Sequence, residues 1–272
     1  MSEKAETHKT TVFIETSMMI QRFAYGQRRR NEIEASLMSK STCTSDYVLM
    51  EFRRSFLQAQ NYLRSLFLKM VQQGKTEIRL NELFVILSQA RSIFHSTRAV
   101  QSILLALSSI FRDDMDRLSL NPAEMARELA LQIDRFETEA RKSVDEVINH
   151  IHCDLTQETV QIGDYIHSRL SCNARRAKCQ LVPFLSAHRE QLLTIQQAME
   201  SAPREKVDQR TLSALRRVNT DVTKALGERA CWALGDVIIT LEVPEYAFIY
   251  TADGHFEVIS KAIGKQLFVE EK

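Results

Sequence analysis

The chain is poor in the residues that break regular structure. Its 272 residues include only 7 glycines and 4 prolines, so long helices with few tight turns are expected, and short strands confined to the two ends. It lacks an excess of either charge, since 36 Lys and Arg face 35 Asp and Glu for a formal net charge of +1. That balance excludes nucleic-acid binding through the field of the whole protein, so any such contact must come from local clusters. No apolar run reaches the roughly 20 residues needed to cross a bilayer, because stretches such as Ile103-Leu104-Leu105-Ala106-Leu107 are soon broken by Ser108, Ser109 and Arg112. The opening Met1-Ser2-Glu3-Lys4-Ala5-Glu6-Thr7 is polar and of mixed charge, without the apolar core of a secretion signal. No membrane association and a cytoplasmic location are therefore expected. Five cysteines, an odd number in a chain of this length, read as reduced thiols rather than a disulfide framework. Aromatic residues make up 7%, too few to imply a stripe on which bases stack.

What the chain does have is carboxylates at the ends of its regular segments. Thr11-Val12-Phe13-Ile14 reads as a short buried strand that runs straight into Glu15-Thr16-Ser17. Ser41-Thr42-Cys43-Thr44-Ser45 leads into a helix that Ser45 and Asp46 start, with Val48, Leu49, Phe52, Phe56 and Leu57 at helical spacing and Glu51 among them. Gly235-Asp236-Val237-Ile238-Ile239 opens an apolar helix that Pro244 ends, and the strand Ala247-Phe248-Ile249-Tyr250 then delivers Thr251-Ala252-Asp253. A helix from Phe256 closed by Gly264, and a strand Lys265 to Val269, follow. A carboxylate just past a buried strand lies at the carboxyl edge of a parallel sheet, where open α/β folds hold their ligands. Several together attract a hard divalent cation. Singly, each also has a plain reading: Asp236 and Asp253 can cap helices, and Glu51 can be a partly exposed helix residue.

The middle of the chain, from Leu80 to about Asn219, reads as helical almost throughout. Asn121-Pro122-Ala123-Glu124 is a strong helix start, because Asn caps, Pro suits the first turn and Glu complements the helix dipole. The helix it opens is expected to run through Leu129, Ile133, Phe136, Ala140, Val144 and Val147.

Three motifs resemble those of the PIN-domain nuclease family: Phe13-Ile14-Glu15-Thr16-Ser17, then Thr44-Ser45-Asp46-Tyr47-Val48-Leu49-Met50-Glu51, and last Gly235-Asp236-Val237-Ile238-Ile239 with Tyr250-Thr251-Ala252-Asp253-Gly254-His255-Phe256. The likeness spans roughly the first seventy and last forty residues. It implies an α/β fold with a PIN-like parallel sheet flanked by helices, residues 1–75 and 221–272 forming the core and 76–220 a large, mostly α-helical insertion. It also implies a divalent-metal-dependent ribonuclease in which Glu15, Glu51, Asp236 and Asp253 are both the catalytic residues and the ligands of Mg²⁺ or Mn²⁺. Metal-activated water then cuts RNA to leave a 5′-phosphate and a 3′-hydroxyl. RNA is the implied partner, with single-stranded DNA, a second copy of the chain or a regulatory protein as further candidates. The family's first acid is usually Asp, whereas this chain has Glu15, one methylene longer. Two alternatives follow: a PIN-like scaffold that binds RNA or protein without cutting, and a toxin-like or defence-associated nuclease restrained by a partner.

Phosphate-gripping candidates near the acids are Arg28, Arg29 and Arg30, together with Arg53 and Arg54 within one turn of Glu51. Arg175, Arg176 and Lys178 form another basic patch. Cys153, Cys172 and Cys179, with an imidazole from His150 or His152, have the ligand types of a structural Zn²⁺ site. Their spacing is no knuckle, and buried free thiols, with Cys172 and Cys179 sharing a helix face, are the preferred reading. Cys43 and Cys231 read as small core residues, and His255 as a loop residue beside Asp253.

Overall fold

The computed structural model describes residues 9–79, 81–83, 85, 105–106, 119–151, 153, 155–162, 165–172 and 179–270. At its centre is a five-stranded sheet built from β1 (Thr11–Ile14), β2 (Ser41–Ser45), β5 (Glu146–Ile148), β8 (Ala247–Tyr250) and β9 (Gln266–Leu267). Its order is β5-β2-β1-β8-β9 and every neighbouring pair is parallel. The protein is thus an α/β structure with a parallel sheet flanked by helices. In the central register, Phe13 stands opposite both Cys43 and Ile249.

Strand alternation gives the sheet two buried faces. Val12, Ile14 and Tyr250 point into one core, with Phe23, Phe52, Phe56 and Phe136, whose rings pack 5.3 to 6.1 Å apart. Phe13, Cys43 and Ile249 point into the other, with Leu192, Leu215, Val237 and Phe256. Both faces are covered, as parallel sheets require, so β1 and β8 are largely apolar on both sides rather than alternating in polarity.

The chain steps outward from β1 to β2 to β5, then returns to the far side of β1 to lay down β8 and β9. The direction of winding reverses between β1 and β8. Diverging connections leave a crevice outside the carboxyl ends of such a strand pair.

Several helix limits follow the sequence chemistry. Asn121 Oδ1 accepts from the backbone of Ala123 at 2.9 Å and Glu124 at 3.3 Å, with Pro122 in the first turn of the helix Pro122–Lys142. Ser45 accepts from Val48 N to start the helix Asp46–Phe52. Gly264, at φ +74°, turns the chain after the helix Phe256–Ala262 in a conformation that costs an L side chain energy.

The middle of the chain departs from the expectation of helix almost throughout, and strands are not confined to the two ends. The helix from Pro122 stops at Lys142, and Val147 lies in β5, the edge of the central sheet. β3 (Ile78–Arg79) pairs with β4 (Ser119–Leu120), and β6 (Leu155–Ile162) with β7 (Tyr165–Cys172), both antiparallel. The physical reason is composition: Leu155-Thr-Gln-Glu-Thr-Val-Gln-Ile162 is rich in β-branched residues that favour the pleated surface. Helices of this region also complete both cores, through Leu129 and Phe136 on one face and Leu192 and Leu215 on the other. The expected helical run over 86–118 lies outside the described residues except for 105–106, which are helical, and Arg175, Arg176 and Lys178 lie outside them altogether.

Candidate functional site

At the end of β1, Glu15 N donates to Tyr250 O at 3.2 Å, which carries the β1–β8 pairing one residue past the strand. Glu15 then caps the helix Thr16–Ala24: its Oε1 accepts from Ser17 N at 2.8 Å and its Oε2 from Ser17 Oγ at 2.5 Å. Ser17 Oγ in turn accepts from Ala252 N at 2.9 Å. The segment after β8 is thereby fastened to the first acid, with the Thr251 hydroxyl a further polar neighbour of Glu15. Glu15 is 5% exposed. Burial raises its pKa to about 8, against the lowering effect of Ser17 and Thr251, and the nearby charge of Asp236 adds to the rise.

The second acid is reached through the neighbouring residue. Thr16 Oγ1 donates to Glu51 Oε2 at 2.9 Å. The other carboxylate oxygen of Glu51 lies over Gly235, where an added Cβ would come within 2.4 Å of it. Glycine is needed there because two chain segments approach closely, not because of an unusual φ. Asp236 follows in the first turn of the helix Gly235–Glu242, a helix with no side-chain cap, where its negative charge suits the helix dipole. Glu15, Glu51 and Asp236 are therefore linked near the carboxyl end of β1, through Thr16, Gly235 and the charge of Asp236 on Glu15.

Asp253 lies in the same loop as Thr251, but its carboxylate serves that loop. Oδ1 accepts from His255 N at 2.9 Å, while Asp253 N donates to Thr251 Oγ1 at 2.9 Å. Asp253 thus closes a turn of its own loop rather than capping the helix Phe256–Ala262, which has no side-chain cap, while Ser17 and Thr251 bring that loop beside Glu15.

A further acid escaped the sequence. Glu242, at the end of the apolar helix Gly235–Glu242, is 2% exposed, and neither carboxylate oxygen meets hydrogen-bond geometry. Ser45 and the Ile151 backbone are its polar neighbours. Burial raises its pKa to about 8, and the charges of Asp46 and Glu51 add to the rise. As the polar last residue of Val-Ile-Ile-Thr-Leu-Glu it reads as a solvated helix end, and no periodicity marks it as buried.

The basic candidates divide. Arg28 is exposed and pairs with Glu32 at 3.1 Å. Arg29 is held by Glu270, with contacts of 2.8 and 2.6 Å that raise its pKa, and Glu270 also accepts from Tyr250 Oη. Arg30 shares their helix, Gln27–Leu37, and is half-buried. Arg53 pairs with Glu137 at 2.8 Å. Arg54 corrects the expectation: its guanidinium is buried, pairs with Glu228 at 3.1 Å and lies 4.6 Å from the centre of the Trp232 ring. Burial removes it from the reach of a polyanion.

The thiols also differ from the expectation of a shared helix face, because Cys172 ends the strand β7. Cys43 and Cys231 are both buried core residues as expected, and Cys231 also lines a pocket with Cys153, Cys172 and Cys179. His150 stacks 6.2 Å from Phe184 and does not line that pocket, and His152 lies outside the described residues.

Among the described residues, no three His, Cys, Asp or Glu side chains are gathered as a metal ion would gather them, and no helix is long and apolar enough to cross a membrane. No family model matches the chain, and no curated protein or solved structure matches it.

Proposed function

We propose that the protein is a PIN-like, divalent-metal-dependent ribonuclease that hydrolyses RNA phosphodiester bonds at the carboxyl edge of β1 and β8. The observation that carries this reading is the linkage of Glu15, Glu51 and Asp236 at the reversal of the sheet, with the loop of Asp253 fastened to Glu15 through Ser17. Oxygen donors of this kind suit Mg²⁺ or Mn²⁺ in chemistry, although the donors as they stand are not drawn together around one point. Glu15, Glu51, Asp236 and Asp253 are the residues that would hold such an ion. When bound, it supplies a polarised phosphate and a water of lowered pKa.

The chain's own residues have separate parts to play. Ser17 orients Glu15 through both carboxylate oxygens, and Thr16 orients Glu51. Glu242 holds a proton near neutral pH, beside Glu51 and away from solvent. Arg28 is the exposed cation of the basic helix, suited to a phosphate contact outside the cleft.

A second reading, a PIN-like scaffold that binds RNA or protein without cutting, is favoured by one observation. Glu15 has both oxygens engaged by Ser17 and a pKa near 8, so it is mostly neutral at pH 7. One assay separates the two: labelled RNA and single-stranded DNA are incubated with Mg²⁺, Mn²⁺ or chelator, using wild type, Glu15→Gln, Glu15→Asp and Asp253→Asn. The enzyme reading expects metal-dependent RNA cleavage that falls by orders of magnitude in Glu15→Gln and Asp253→Asn and persists measurably in Glu15→Asp. Equal products from all four proteins would place any activity elsewhere and leave the scaffold reading.

A further inference from the structure

Cys153, Cys172, Cys179 and Cys231 line one small pocket, whose remaining wall includes Tyr47 and Ile151. They arrive on separate pieces of chain: Cys153 a few residues past β5, Cys172 at the end of β7, Cys179 just before the helix Leu181–Ala187, and Cys231 within the helix Glu228–Ala233. All four are free thiols. Thiols brought by four segments to one apolar pocket are a soft donor set, which selects a thiophilic ion over the hard cations suited to carboxylates. In the structure the thiols surround the pocket without converging to the spacing of a bound ion.

A second observation points the same way. Arg54 is buried, its Nε has no hydrogen-bond partner, and its positive charge acts on both Cys153 and Cys231. Its ion-pair partner Glu228 and its ring partner Trp232 both sit on the helix of Cys231. A buried cation with an unused donor beside thiols is costly by itself. It becomes favourable when the thiols carry negative charge, because four thiolates around a divalent ion leave two negative charges to be balanced, and hydrogen bonds to ligating sulfur stabilise them. Glu228 is partly in solvent, so it screens Arg54 incompletely.

We propose that this pocket is a structural Zn²⁺ site, with Cys153, Cys172, Cys179 and Cys231 as thiolate ligands and Arg54 as their buried counter-charge. On binding, each sulfur exchanges its proton for a bond to zinc, and the protons pass to water. The ion then ties the ends of three chain segments to the helix of Cys231. That helix is already joined to the helix of Glu51, since Tyr47 Oη donates to Cys231 O at 3.0 Å. The site is separate from the carboxylate edge and does not depend on the nuclease reading.

The test uses the full chain purified under reducing conditions, with metal content measured by mass spectrometry and the zinc replaced by Co²⁺. One zinc per chain is expected, released when the thiols are alkylated under denaturing conditions, and the cobalt form should show thiolate charge-transfer bands and tetrahedral d–d bands. Cys172→Ser and Cys231→Ser should lose the zinc and melt at lower temperature. Cys43→Ser, outside the pocket, and Glu15→Gln, at the carboxylate edge, should keep it. Wild type without zinc after reconstitution in excess Zn²⁺, or a cobalt form without thiolate bands, overturns the proposal even if the serine variants fail to fold. An intact mass showing a disulfide among these cysteines in protein purified without reductant and with Zn²⁺ present overturns it as well.

Discussion

Thr16 donates its hydroxyl to Glu51 at 2.9 Å across 35 positions of sequence, joining the helix that leaves β1 to the helix that leaves β2. Because Glu51 also lies over Gly235, the carboxylate is fixed from both sides, and the first prediction follows from its second contact. Gly235→Ala places a methyl 2.4 Å from Glu51 Oε1, so either the carboxylate or the start of the helix Gly235–Glu242 must shift. Overpacking of this kind costs about 1–3 kcal/mol. Urea melts should show that loss together with reduced RNA cleavage, and an unchanged midpoint would mean that Glu51 swings aside freely.

The hydroxyl of Ser17 joins Glu15 to the loop after β8. Ser17→Ala leaves Ala252 N and one oxygen of Glu15 without this partner, at a cost of about 1–3 kcal/mol for groups that stay buried. It should also push the Glu15 pKa further up, because Ser17 is the largest lowering influence on it. Equilibrium denaturation and the pH dependence of cleavage report the two effects. A wild-type melting curve and pH profile would show that the bridge holds nothing.

Glu15 and Glu242 both have pKa values raised from 4.5 to about 8. Between those values the unfolded chain loses the proton while the folded protein keeps it, so the unfolded state binds fewer protons and stability falls as pH rises. Their contribution is fully present below pH 4.5 and is lost as pH passes through about 8. Glu242→Gln should flatten this decline in urea midpoints and make the variant more stable than wild type at the alkaline end. Parallel wild-type and variant curves across the range would show that Glu242 is not a proton-holding group.

A cation bound only by the folded protein raises its stability by mass action, by about 2.7 kcal/mol at a hundred times the dissociation constant. Mn²⁺ should therefore raise the melting temperature of wild type, and Asp236→Asn should remove most of the increment. The rise should be greater above pH 7, where Glu15 gives up its proton more readily. No rise at any pH would argue against a divalent-ion site at this edge.

The legible parts of the sequence were those where local chemistry and burial agree. β1 and β8 are largely β-branched and aromatic residues that lead to an acid within three positions, and the Asn121-Pro122-Ala123-Glu124 start is visible in four letters. β2 was not legible as a strand because Ser-Thr-Cys-Thr-Ser is polar; it is buried only because its hydroxyls find partners, Thr44 on Ile14 O and Thr42 on Asp145. β5, three residues long, fits helical spacing as readily as strand spacing. Glu242 was missed and Arg54 misread for a common reason. A charged residue at a helix end or beside another arginine looks solvated, and only the distant Ser45, Glu228 and Trp232 show what surrounds it. The meeting of Cys231 with three thiols from the middle of the chain depends on tertiary packing alone.

The sheet's winding also bears on how the protein emerges from the ribosome. Ser17 and Ala252, which lock the two sides of the carboxylate edge, are 235 positions apart, so β1 waits beside β2 while most of the chain is still being synthesised. Its other flank stays an open edge until β8 arrives, and an unpaired apolar strand is where nascent chains associate wrongly. A nascent chain halted before β8 therefore holds Glu15, Glu51 and Asp236 but lacks the loop that fastens Glu15 in place. The polypeptide would gain its complete acidic edge only once it is almost entirely made.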